Sequence, residues 1–106
     1  MPKYLVTAAY SADGVKGVMK TGGTARTDAV RKAVEGLGGK MESFHFAFGG
    51  DDAVVLVDLP DNVAAAALGL AVSATGLAAV KTTVLLTPEE IDQAASRSVS
   101  YTPPGK

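Results

Sequence analysis

The sequence predicts an α+β fold in which helices cover one face of a four-stranded antiparallel sheet. Four segments alternate apolar and polar residues with the period of a strand, and the segments between the first and second and between the third and fourth carry helical spacing. At 106 residues the chain is long enough for one domain with a modest core. We predict a single domain over residues 1–97 and a flexible C-terminal tail over residues 98–106.

The first strand is predicted over residues 3–10. The segment 11–23 contains Gly14, Gly17, Gly22 and Gly23 among apolar residues, a pattern that favours a packed loop over a helix. Thr24 is the predicted N-cap of the first helix, which has a single apolar stripe and ends at Gly38-Gly39.

A hairpin over residues 40–59 organises the sheet, with Gly49-Gly50-Asp51-Asp52 as its turn. A loop of two or four residues sets Phe48 opposite Ala53, Phe46 opposite Val55 and Phe44 opposite Val57. A three-residue loop would turn Asp58 in among the phenylalanines, so we reject that register. The accepted register predicts that Phe46 and Phe44 are fully buried beneath the helices.

The second half of the chain has clear boundary signals. Asp61 is the predicted N-cap of a helix over residues 62–75, which is apolar nearly all round and therefore needs cover on two sides. The fourth strand is predicted over residues 78–86. Thr87-Pro88-Glu89-Glu90 forms a capping box with proline at the first helical position, which predicts a short C-terminal helix.

This order of elements is that of the ferredoxin-like split β-α-β fold with an extra C-terminal helix. Both main helices must cover the phenylalanine face of the sheet, so the opposite face is left open. We expect a second copy of the chain to cover it in a homo-oligomer, since 47% of the residues are hydrophobic. The open face is predicted to carry Leu5, Thr7, Met41, Ser43, His45, Val54, Leu56, Asp58, Lys81, Thr83 and Leu85.

The candidate catalytic residues are His45 and Asp58 on that open face. The accepted register places Asp58 diagonal to His45 and opposite Ser43, where the carboxylate could orient the imidazole for general base chemistry on a carbon acid or a phenol. The alternative is that His45 simply lies at a strand edge or a subunit interface. A Ser43-His45-Asp58 hydrolase is disfavoured, because no strained nucleophile turn or oxyanion hole is evident.

Further candidate ligand contacts are Ser43, Thr7, Lys81 and Thr83 on the open face, together with Arg26 in the first helical turn. An arginine at that position opposes the helix dipole, which favours a specific partner. That partner is a bound anion, Asp28 or a neighbouring chain. The glycines before this helix lack the spacing of a dinucleotide or P-loop site, so they indicate tight turns.

Composition excludes several classes of function. The net charge of −1, from 10 basic and 11 acidic residues, gives no electrostatic footprint for nucleic acid. No apolar run is long enough to cross a membrane and no signal-peptide pattern is present, so we expect a cytoplasmic protein. One histidine and no cysteine argue against disulfides and transition-metal sites, and Asp51-Asp52 supplies too few ligands for a hard cation. We expect no metal and no cofactor.

Six short motifs in a fixed order resemble the GYD domain family over residues 3 to about 95. They are Lys3-Tyr4, Gly22-Gly23-x-x-Arg26, Phe48-Gly49, Leu59-Pro60-Asp61, Thr75-Gly76 and Leu85-Leu86-Thr87-Pro88-Glu89-Glu90. Where the family typically has Gly-x-Tyr-Asp, this chain has Gly49-Gly50-Asp51-Asp52, so Asp51 replaces the tyrosine. The resemblance implies kinship with the dimeric α+β barrels, whose sheets pack together, and implies no particular chemistry.

Three functions remain open from the sequence. The first is a homo-oligomer that binds a small molecule between its subunits. The second is a cofactor-independent monooxygenase or isomerase that uses His45. The third is a structural or regulatory assembly module without a ligand.

Overall fold

The structure is a computed structural model that describes all residues 1–106. In chain order the elements are β1 (Lys3–Tyr10), α1 (Ala12–Thr21), α2 (Gly23–Gly36), β2 (Lys40–Phe46), β3 (Ala53–Asp58), α3 (Asn62–Ser73), β4 (Ala78–Leu85) and α4 (Pro88–Ala95). One antiparallel sheet contains every strand in the order β2-β3-β1-β4, with helices between β1 and β2 and between β3 and β4. This topology confirms the predicted α+β fold.

The core lies between the sheet and the helices α2 and α3. Along β3 each second residue is buried, which places Asp58 and its alternate neighbours on the opposite face, as the alternation predicts. The buried apolar cluster is made of Tyr4, Val6, Val34, Val55, Val57, Leu59, Ala65 and Leu68.

The segment predicted as a packed loop is instead the helix α1, so that prediction is wrong. The Ser11 side chain caps this helix by accepting a hydrogen bond from the backbone N–H of Gly14 at 3.1 Å. Gly14 is glycine because of packing: a Cβ at this position would lie 2.0 Å from the backbone oxygen of Leu77. A glycine that permits close approach carries the same sequence signal as a glycine that breaks a helix.

The predicted N-cap of the next helix is also wrong. Helix α2 begins at Gly23, one residue before Thr24, and no side chain caps it. Gly22 joins α1 to α2 with a φ of +89°, a conformation that favours glycine. The chain therefore turns from one helix into the next through a single residue, and Thr24 lies within the first turn.

The register of the hairpin differs from the prediction by two residues. Phe46 lies opposite Ala53 and Phe44 opposite Val55, and the backbone N–H of Ala47 donates to the carbonyl of Asp52 at 2.9 Å. The turn therefore spans residues 48–51. A shift of two preserves the face of each side chain, so Phe44 and Phe46 remain on the helix side.

A bulge at Glu42 places Met41 on the helix side of the sheet instead of the predicted open face. The pairing shifts between Met41 and Ser43, so that Met41 lies opposite Val57 on the helix side. Met41 packs against the core there, although the sequence pattern placed it on the open face.

The phenylalanines are less buried than predicted, because the shift in register moves them toward the hairpin tip. Phe46 is 45% exposed and Phe48 is fully exposed in the turn. Phe44 is partly buried against the core, with its ring centroid 5.1 Å from that of Phe46. The prediction of full burial is wrong for both Phe44 and Phe46.

The two later helix caps are confirmed. The Asp61 carboxylate accepts a hydrogen bond from the backbone N–H of Ala64 at 2.8 Å. The Thr87 hydroxyl accepts from the N–H of Glu90 at 3.0 Å, and the Glu90 carboxylate accepts from the N–H of Thr87 at 2.9 Å. Helix α4 is exposed along its whole length, and residues 98–106 form no helix or strand.

Candidate functional site

The open face of the sheet carries most of the predicted site residues in two rows. The first row crosses the strands as His45, Val54, Thr7 and Lys81, and the second crosses them as Ser43, Leu56, Leu5 and Thr83. Apolar side chains occupy the centre, and the polar ones lie mainly on the edge strands β2 and β4. With strands about 4.8 Å apart, the two edges are separated by about 14 Å.

The structure does not bring His45 and Asp58 together. His45 lies opposite Val54, and Asp58 follows four residues further along β3, about 13 Å away at the backbone. Asp58 lies opposite Lys40, while Leu56 takes the position opposite Ser43. The predicted diagonal contact between His45 and Asp58 is therefore wrong, and so is the predicted pairing of Asp58 with Ser43. Both errors follow from the predicted register of the hairpin, which differs from the observed one by two residues.

Asp58 instead belongs to a charged cluster at one end of the open face. The Lys3 ammonium donates to Asp58 Oδ1 at 3.0 Å and also to the carboxylate of Glu42 on the bulge. The hydrogen bonds from Lys3 to Glu42 and Asp58 raise the pKa of the Lys3 ammonium above its ordinary value of 10.5. The Asp58 carboxylate is thus committed to an ion pair that links β1 and β3.

Arg26 lies on the other side of the sheet, so it cannot share a site with the open-face residues. It projects from the first turns of α2 into the space between the helices and the sheet. Its predicted partner Asp28 pairs with Arg31 instead, at 2.7 Å. The Nε atom of Arg26 is buried without a hydrogen-bond partner, and the guanidinium forms no salt bridge within the chain.

A cavity surrounds this guanidinium. Its deep part, of about 40 Å³, lies against the sheet, and a cleft of about 380 Å³ leads outward between α1, α2 and α3. Tyr10, Arg26, Leu68 and Val72 line both parts. Sequence reasoning missed this cavity because it depends on α1 being a helix. The one available signal was an arginine placed against the dipole of its own helix.

No cluster of three or more His, Asp or Glu side chains is arranged to hold a metal ion. No helix is both long and apolar enough to cross a membrane.

Comparison with known families places the whole folded region in one of them. Residues 4–95 match the GYD domain. Comparisons with curated proteins and with solved structures gave no match. The family match spans every element from β1 to α4, so the chain belongs to the GYD domain family.

Proposed function

We propose that this protein is a homo-oligomer whose subunits meet through the open sheet face and hold a small molecule between them. The observation that supports this most directly is the apolar centre of a sheet face that no helix covers. Leu5, Val54 and Leu56 lie there side by side on the two central strands, and each is partly exposed in the single chain. Covering these side chains with a second subunit would remove apolar surface from water.

The distribution of polarity on this face also supports assembly. Protein interfaces typically have an apolar centre and a polar rim. Here Ser43 and His45 lie on β2 at one edge, and Lys81 and Thr83 lie on β4 at the other. In such an assembly these four side chains lie at the rim, where a small polar molecule could bind between subunits and contact Thr7 at the inner side.

A second apolar surface competes for the same role. On the outer side of α3, Val63 is 77% exposed and Leu70 is 72% exposed. This helix surface lacks the polar rim of the sheet face, because the residues around it are mainly alanines. We therefore assign the principal interface to the sheet.

The enzyme alternative now has less support than the binding function. General base catalysis by His45 needed a nearby carboxylate, and Asp58 is engaged by Lys3 at a distance from it. A monooxygenase or isomerase would have to use His45 alone. An assembly module without a ligand is the outcome if the subunits pack with no space between the sheets.

Static light scattering at micromolar concentration tests the assembly. We expect a multiple of the 10.7 kDa chain mass for the wild type and for Val63→Lys. Leu56→Lys should give a folded monomer, because a lysine ammonium at the centre of the face cannot be buried unpaired. A monomeric wild type, or dissociation by Val63→Lys alone, would contradict the assignment.

Ligand binding is tested separately with phenol as the probe. Nuclear magnetic resonance of the assembled wild type should give saturable shifts at His45, Thr7 and Thr83 that are lost in the Leu56→Lys monomer. If phenol causes no shifts in the assembled protein, the result would contradict binding of this class of molecule and favour an assembly module without a ligand.

A further inference from the structure

We propose that the cavity between α1, α2, α3 and the sheet binds an organic carboxylate with an apolar body, and that the Arg26 guanidinium receives the carboxylate. This site lies within one subunit, on the opposite side of the sheet from the proposed interface. It is therefore independent of the proposed assembly.

The charge of the cavity lining favours an anionic ligand. Arg26 is the only charged residue that lines either part of the cavity. Its Nε is shielded from water and has no hydrogen-bond partner. A shielded guanidinium N–H without a partner is costly, and an anion bound in the cavity would accept its hydrogen bond. No carboxylate of the chain pairs with Arg26, so we assign the role of the anion to a ligand.

The geometry of the guanidinium indicates which anion fits. Arginine presents a planar set of N–H donors that matches the two oxygens of a carboxylate. Tyr10 lines both parts of the cavity with Arg26, and its hydroxyl can donate a further hydrogen bond. Thr21 and Thr75 in the outer cleft already donate to the carbonyls of Gly17 and Val72, so they offer only acceptors. Recognition of an anion therefore depends on Arg26 and Tyr10.

The rest of the lining favours a ligand with an apolar body. The deep part is walled by apolar side chains apart from Arg26, and its small volume admits only the end of a slender group. The outer cleft, at about 380 Å³, falls within the range of small-molecule sites, which is roughly 300–1,000 Å³. A ligand that fills both parts needs a hydrocarbon or aromatic body attached to its charged group. A simple inorganic anion would satisfy Arg26 and leave the apolar walls uncovered.

The test compares octanoate with octan-1-ol, which has the same chain length and no charge, by isothermal titration calorimetry. The wild type should bind octanoate about tenfold or more tightly than the alcohol, as expected for a hydrogen bond between charged groups. Arg26→Met should abolish that preference. Arg31→Met is the matched control, because Arg31 lies on the same helix and already pairs with Asp28; it should keep the preference.

A second variant keeps the proposal testable if Arg26→Met fails to fold. Gly17 lines the cleft, and a Cβ at this position would meet no atom within 4 Å, so Gly17→Phe should fill the cleft without strain and abolish octanoate binding. Gly36→Phe is its control, since Gly36 has the same free space and lies outside the cleft. Equal affinity for octanoate and the alcohol, octanoate binding that survives Gly17→Phe, or dissociation of the oligomer by Arg26→Met would overturn the proposal. The last result would mean that a neighbouring subunit supplies the anion.

Discussion

The carboxylate of Asp52 accepts a hydrogen bond from the backbone N–H of Tyr10 at 2.8 Å. The backbone N–H of Asp52 also donates to the carbonyl of Ala8 at 2.8 Å. These two bonds tie the tip of the hairpin to the end of β1. They hold Asp52 in place just after the turn, where β3 begins at Ala53, and the pairing of β2 with β3 follows from there.

Asp52→Ala should therefore destabilise the protein by about 1–3 kcal/mol, since the partly buried N–H of Tyr10 loses its acceptor. Asp51→Ala is the neighbouring control. Asp51 approaches only the exposed Lys81, at 4.0 Å, and should contribute less than about 0.5 kcal/mol. Urea denaturation measures both free energies. Equal effects at the two positions would show that Asp52 is merely a solvated turn residue.

Leu59 and Phe46 should differ strongly as core residues. Leu59 is fully buried, so Leu59→Ala should cost about 2–5 kcal/mol. Phe46 is 45% exposed, so Phe46→Ala should cost only about 1 kcal/mol. Denaturant melts of the two variants measure which substitution lowers the free energy of unfolding more. A larger loss at Phe46 would mean that the register predicted from the sequence is the correct one.

The sequence predicted the faces of the strands more reliably than their partners. Alternation depends only on whether a residue is odd or even within its strand, so Val55 and Val57 were correctly assigned to the core. Register depends on where the turn begins, and here that is set by hydrogen bonds from Asp52 to a strand more than forty residues away. A hairpin considered alone does not contain that information.

The remaining features depend on tertiary contacts. In the sequence Gly14 indicates a helix break, whereas in the structure it allows the backbone of Leu77 to pack closely against α1. The bulge at Glu42 has no signal in the sequence, and the contact of Glu42 with Lys3 is visible only in the folded chain. The caps at Asp61 and Thr87 were predictable because each involves residues only three apart. The Arg26 cavity could not be predicted without the position of α1. The separation of His45 from Asp58 could not be predicted without the register of β2 and β3.

His45 and Asp58 should be energetically independent. In a double-mutant cycle, the stability losses of His45→Ala and Asp58→Asn should add within about 0.5 kcal/mol. The two residues are separated by four positions along β3, about 13 Å at the backbone, and they share no partner. The cycle of Lys3→Met with Asp58→Asn is the positive control, since those side chains are in contact. Clear coupling between His45 and Asp58 would restore the catalytic pair.

The stabilising contribution of Lys3 should vanish at high pH. Because the pKa of Lys3 is raised by Glu42 and Asp58, the folded state binds this proton more tightly than the unfolded state. The contribution is thus fully present below pH 10.5 and is lost as the pH rises through the folded-state value.

Thermal melts of the wild type and Lys3→Met check this dependence. The difference in Tm between them should be present well below pH 10.5 and shrink as the pH rises beyond that value. Lys40→Met is the control, because Lys40 forms no salt bridge and should change Tm little at either pH. A Tm difference that does not depend on pH would assign the effect of Lys3 to packing of its stem.

The most direct test of the central proposal is a mixed-label nuclear magnetic resonance experiment. Isotope-labelled and unlabelled chains are unfolded together, refolded, and searched for nuclear Overhauser effects that cross from one chain to the other. We expect these effects at the methyl groups of Leu5, Val54 and Leu56. Effects confined to Val63 and Leu70 would place the interface on α3, and a complete absence of intermolecular effects at millimolar concentration would contradict assembly through the sheet.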